Sequence, residues 1–452
     1  MGRKCIRILN MNNDGKRIGL ALSGGGYRAA AYHIGTLRAL SRLGILNKVD
    51  VISSISGGSI IAAYYALNKD KYEKFEDFEK TFRNELRKGP YSKVKWCLIL
   101  SVLGIVSVLC GVFCVLHYFN VCSCVKWILI GVSIIGIWVL IKNHNKYFRS
   151  SEIVQKYYDK QFFHEKKLKD LPNSPIFAIN STEISQNQLM TFSKQKVACG
   201  EKYKKGTIIP DEIPISLAVM ASSAYPLFSP MTIPSDYFAE NKFTGEQPVL
   251  IDGGIYDNQG LHKLNEKRSS YYTDYAIVSN AGNAEPDSEK VDNVYHVLST
   301  SIDLLMNRIE KMQTQRILYQ RTDEDGHCAY VALRWNPLDT VFERYMDNIR
   351  DKKIPQYVYE ANGLTKEQVL LLQEGQMTKE EKQVCIETIK SHVRWEELHK
   401  QQERILTAWR RSMSVETNLD GLSNSTIDAL STLAEWQTTL QVRLHLPHLC
   451  NG

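Results

Sequence analysis

The sequence predicts an α/β protein on a mostly parallel sheet, with an apolar helical hairpin inserted near residue 100 and a helical region after residue 300. Three observations predict this. Through the first 300 residues, hairpin aside, short apolar runs alternate with segments of helical periodicity. Two run-to-helix junctions carry small residues where the chain must turn sharply, SGGGYR at 23–28 and SISGG at 54–58. Beyond about residue 293 the pattern turns helical and more polar.

The first strand is RIGLALS at 17–23, followed by a helix at 28–43 with Ala31, Ile34, Leu37 and Leu40 at helical spacing. DVISS at 50–54 is the second strand, and after Gly57 and Gly58 the segment SIIAAYYAL is a helix. Later strands are expected at 175–179, 189–192, 249–251 and 275–278. In the C-terminal part TKEE at 378–381 reads as a capping box, Ser425 and Thr426 open another helix, and the charge-rich 375–411 segment is a solvated helical face.

Composition bounds the class. With 44% hydrophobic and 23% charged residues over 452 positions the chain is globular. A net charge of +7 is modest for this length and is read as a solvated surface, with no nucleic-acid partner. The ten cysteines form no CxxC pair and no zinc-spaced cluster, and Cys97, Cys110, Cys114, Cys122 and Cys124 crowd one apolar stretch. A reduced, cytoplasmic-facing protein is the simplest expectation. No signal-peptide core is evident before the first strand, and Ile6 stands where a myristoylation signal wants Ser or Thr.

The stretch at 94–142 reads as a membrane hairpin. Residues 96–119 carry no formal charge, 125–141 carry only Lys126, and residues 120–124 between them suffice for a tight turn. Trp96, Tyr118, Phe119 and Trp127 fall near the ends as aromatic anchors. Arg87, Lys88, Lys93 and Lys95 precede it and Lys142, Lys146 and Arg149 follow, so the positive-inside rule puts both termini in the cytoplasm. A multi-pass protein with two spans is therefore expected, with residues before 94 and after 143 in one compartment.

Three motifs carry chemistry. Ser56, between strand and helix, is a candidate nucleophile: a sharp turn there forces strain and demands small neighbours, which Ser54 and Gly58 are. The following helix points its positive end at the hydroxyl. Gly24, Gly25 and Gly26 offer N–H groups at another helix start, suited to an oxyanion hole. A dinucleotide loop would need an acid at the end of the next strand, but Asp50 stands before it; a phosphate loop would need G-K-[ST], which is missing. The third motif is Asp252 with Gly253 and Gly254, an acid at a strand end that a parallel sheet would deliver to the same edge as Ser56.

These residues resemble the patatin-like phospholipase family: the glycine loop with Arg28, the Ser56 elbow, Asn180 in a strand, AVMASSAYPLFSP at 218–230, and Asp252-Gly-Gly. The resemblance covers roughly residues 17–300 outside the hairpin, and Ser54 departs from it by replacing a first glycine. It implies a three-layer α/β/α catalytic domain over 15–300 and a Ser56–Asp252 dyad without metal or cofactor. Arg28 would brace the oxyanion loop, and a mainly α-helical region follows at 301–452. A triad histidine could be His262 or His327 by order, but neither sits in a loop signature. The expected activity is phospholipase A-type hydrolysis of membrane phospholipid or other glycerolipid acyl esters through an acyl–serine. Acyl transfer from the same site and a membrane-anchored, non-catalytic lipid-binding scaffold are the competing readings.

Overall fold

The computed structural model describes residues 15–90, 123–143, 148–226, 228–240, 242–282, 293–320, 327–337 and 340–450, with scattered positions between 96 and 118. Its sheet joins β1 (Ile18–Leu22), β2 (Val51–Ser54), β3 (Ile176–Glu183), β4 (Gln188–Ser193), β5 (Lys196–Cys199), β6 (Tyr203–Ile208), β7 (Met231–Thr232), β8 (Val249–Ile251), β9 (Tyr275–Asn280) and β10 (Cys328–Ala332). The order is β10-β9-β1-β2-β3-β4-β5-β6, with β8 pairing β3 and β7. From β10 to β3 every pairing is parallel. From β3 outward the strands are antiparallel hairpins, closed by turns too short for a crossover.

Alternation along the strands builds two cores. Ile18, Leu20 and Leu22, with Ile52, Ile277 and Val331, face the larger one. Ala21, Val51, Ala276 and Val278 face a smaller one closed by Leu261, Leu264 and Tyr271. The helix α1 (Gly26–Arg42) lies on the larger face, with 14 of its 17 residues buried. An amphipathic surface helix would bury one stripe. This one is covered on its second side by the last helix of the chain, Asn424–His445, whose Ser431 carbonyl comes so close to Gly35 that a Cβ would overlap it. Each large apolar side chain buried between them stabilises by about 1.5–3 kcal/mol.

The region after residue 300 is thus not a separate helical unit. It supplies β10 to the sheet, a strand that periodicity missed because all five residues are buried and no alternation shows. The capping box at Thr378 and Glu381 forms as expected, with the Glu381 N–H donating to Thr378 Oγ1 at 3.2 Å.

The two-span hairpin is not supported. Among the described residues no helix is long and apolar enough to cross a membrane. The first apolar run is described only at scattered positions. The second belongs to a helix at Ser123–Lys142 that begins inside the expected turn. Lys126 and Lys142 leave only residues 127–141 uncharged, about 22 Å of helix against the ~30 Å of a hydrocarbon core. Its Trp127, Ile128, Val132, Ile134, Ile135 and Trp138 side chains are exposed.

Candidate active site

Parallel register aligns the strand ends that build the site. Leu22 pairs with Ser54 and with Ser279, and Ser54 pairs with Ile179. The glycine loop after β1, the serine turn after β2 and the Asn180 position on β3 therefore open at one edge of the sheet. The acid arrives differently from the sequence expectation. β8 runs antiparallel to β3, Ile251 opposite Thr182. Because β3 continues past the end of β2, β8 descends alongside that extension and delivers Asp252 to the edge from outside the parallel core.

Ser56 caps the helix α2 (Gly57–Asn68) with φ 48° and ψ −118°, a strained conformation for any residue with a Cβ. Its N–H donates to Ser222 Oγ at 2.8 Å, and Ser222 Oγ lies 3.0 Å from Ser59 Oγ. Ser222 ends the helix Ile215–Ser222. Ser59 Oγ in turn donates to Ser54 Oγ at 3.1 Å. Ser54 is seated in this cluster, which gives its side chain a use at the crowded point where the resemblance leads one to expect glycine. Asn180 braces the same turn from β3, its Nδ2 donating to Ser53 Oγ at 3.0 Å and to the Ser54 carbonyl at 3.3 Å.

Asp252 is held by three backbone bonds. Its N–H donates to the Ala224 carbonyl at 2.8 Å, its carbonyl accepts from Thr182 Oγ1 at 2.9 Å, and its Oδ1 accepts from the Gly254 N–H at 2.7 Å. The Gly253 N–H donates to the Ser222 carbonyl at 3.2 Å. The 222–224 stretch thereby touches the Ser56 turn and the Asp252 segment at once, a role that the sequence string alone did not disclose. Burial raises the Asp252 carboxyl to about 7, against the lowering effect of the Gly254 N–H and, less strongly, of the nearby Ser56 hydroxyl.

The glycine loop lies against Ser56: a Cβ on Gly24 would stand 3.3 Å from the Ser56 Cβ. The Gly24 N–H, expected as an oxyanion donor, instead donates to the Asn258 carbonyl at 2.9 Å. Tyr27 N–H is taken by the Asn418 carbonyl at 3.0 Å. Among the described residues the Gly25 and Gly26 amides have no backbone acceptor, and their φ values of 133° and 58° turn the loop as only glycine does readily. Arg28 reaches behind the loop, Nη2 to the Ala281 carbonyl at 2.9 Å and Nη1 to the Val415 carbonyl at 3.0 Å. Its burial lowers the guanidinium to about 10.

Sequence reasoning passed over His33. It is buried on α1, with Nδ1 2.8 Å from Ser279 Oγ and Nε2 3.0 Å from the Ser23 carbonyl. Burial pushes it down to about 4, so it is neutral near pH 7 and acts as a strut under the glycine loop. The histidines considered for a triad lie elsewhere: the His262 N–H donates to Asp257 Oδ2 at 2.7 Å, and His327 Nε2 is 3.1 Å from His445 Nδ1.

A strained serine at a strand-to-helix turn, a glycine loop beside it and a buried aspartate thus meet at one edge of an α/β sheet, an arrangement suited to ester hydrolysis. The family model for patatin-like phospholipases matches residues 20–264. The chain belongs to the patatin-like phospholipase family, a family of lipid ester hydrolases.

Among solved structures it is similar to VipD from Legionella pneumophila, at 12% identity, 94% of each chain and a TM-score of 0.31. It is also similar to human GIVD cytosolic phospholipase A2, at 13% identity, 88% of this chain, 63% of that one and a TM-score of 0.40. The same human enzyme with methyl gamma-linolenyl fluorophosphonate and terbium chloride gives 14%, 96%, 58% and 0.43. The chain thus spans less than two thirds of the human enzyme, and no residue's role follows from likenesses this distant. No curated protein sequence matches it.

Proposed function

We propose that the chain is a lipid acyl hydrolase of the phospholipase A type, with Ser56 as nucleophile and Asp252 as its base. One observation carries the reading. Ser56 is held in a strained turn, the buried Asp252 is tied to that turn through the 222–224 stretch, and two glycine amides lie beside it. Ser56 Oγ attacks the ester carbonyl while its proton passes to Asp252, and the Gly25 and Gly26 N–H groups receive the oxyanion. Collapse of that intermediate expels the lipid alkoxide, which takes the proton from Asp252 and leaves acyl–Ser56. Water, deprotonated by Asp252, then releases the fatty acid. Arg28 and His33 keep the loop in place without touching substrate.

The substrate is a glycerolipid in a membrane. The exposed tryptophans and isoleucines of the Ser123–Lys142 helix support attachment at a lipid surface. Fatty-acid release from phospholipid vesicles, measured for the parent, Ser56→Ala and Asp252→Asn, tests the reading. Both substitutions are expected to abolish release and fluorophosphonate labelling, and retained release in either sinks the dyad.

A further inference from the structure

We infer that the outer face of the helix Val294–Gln320 is a docking surface for an anionic lipid bilayer, which brings the active-site edge against its substrate. The inference deepens the hydrolase reading and rests on it only for which edge must meet lipid.

The inner side of this helix belongs to the site. Met306 is buried, its Cε 2.8 Å from where a Cβ on Gly254 would stand, beside Asp252. The Tyr225 hydroxyl lies 3.2 Å from Asp303 Oδ1 and 3.4 Å from the Ser299 carbonyl. Glu310 Oε1 accepts from Asn280 Nδ2 and from Arg334 Nη2, each at 2.9 Å. Asp303 and Glu310 are the only acids in the segment, and both are engaged on this inner side.

The outer side is unlike a water-facing helix. Val294, Leu298, Leu305 and Met312 are 76%, 57%, 61% and 61% exposed. At about 100° per residue their positions fall within about 40° of one another. Arg308 and Lys311 are exposed beside the stripe and no acid shares it. An apolar stripe rimmed by cations complements an anionic bilayer.

A second observation ties another apolar helix to the same stretch of chain. Residues leading out of the Ser123–Lys142 helix are anchored at Ser229, whose N–H donates to Ser150 Oγ at 2.9 Å and whose Oγ accepts from the Ser151 N–H at 3.1 Å. Ser229 is four positions from Tyr225, which holds the docking helix. Two exposed apolar helices are thus tethered to one short segment.

The test uses the full chain carrying Ser56→Ala, so that hydrolysis cannot alter the vesicles and failure here leaves the hydrolase reading to its own assay. With vesicles of phosphatidylcholine and phosphatidylserine at 3:1, amide exchange across residues 294–312 is expected to slow. Leu298→Asp/Leu305→Asp is expected to weaken vesicle binding by about tenfold or more at unchanged melting temperature. Arg308→Gln/Lys311→Gln is expected to remove the preference over pure phosphatidylcholine vesicles. Unchanged exchange, or unchanged binding in both variants, overturns the inference. So does sedimentation showing that the stripe instead pairs two copies of the chain.

Discussion

The backbone N–H of Ser56 donates to the hydroxyl of Ser222, 166 residues later, at 2.8 Å. The bond anchors the strained turn to the helix whose end also accepts from Gly253. Ser222→Ala leaves a buried N–H unpaired, at about 1–3 kcal/mol. Urea unfolding should show that loss, and kcat for ester hydrolysis should fall by about tenfold or more. Unaltered kcat would mean that the turn needs no such support.

Asp252 makes activity and stability move in opposite directions with pH. The carboxyl is raised from 3.8 to about 7, so only above about pH 7 is it mostly ionised and able to accept the Ser56 proton. The rate should rise with pH along a limb centred near 7. Between about pH 4 and 7 the folded chain keeps a proton that the unfolded chain has released, so stability falls as pH rises through that window. Asp252→Asn should therefore be inactive and, at pH 8, more stable than the parent by up to about 4 kcal/mol, the difference vanishing below about pH 4. Melting curves at pH 4 and 8 check the sign.

Gly25→Ala tests the oxyanion loop. At φ 133° an added Cβ is strained and would stand 3.2 Å from the Ala281 carbonyl. The expected outcome is a loss of about 10²–10³ in kcat, with fluorophosphonate labelling slowed in parallel. A variant that folds and keeps full rate would remove Gly25 from the site.

Gly35→Ala probes the packing of the last helix. Its methyl group would collide with the Ser431 carbonyl, so the helices must part. Overpacking of this kind destabilises by about 1–3 kcal/mol. Denaturant midpoints report it directly.

The parallel half of the fold was legible because each turn there is marked by small residues and each strand by a short apolar run. Ser56, Asp252 and the glycine loop could be named for the same reason. Other parts were hidden by context. β10 is buried throughout and shows no alternation, and the direction of β8 is decided by how far β3 outruns β2. Gly24 was misjudged as an oxyanion donor because its acceptor, Asn258, is 234 positions away in sequence. His33 sits in an Ala-rich helix where only the third dimension reveals the Ser23 carbonyl beneath it.

The grip of Val415 on Arg28 and of Asn418 on Tyr27 sets an order of events in synthesis. Ser56, the glycine loop and Asp252 have all left the ribosome once residue 252 has emerged, yet the carbonyls that steady the loop come more than 160 residues later. The bracing of the loop is complete only once residues 415–418 have been made. A chain cut short before residue 415 would carry Ser56, the glycine loop and Asp252 without the carbonyls that steady that loop.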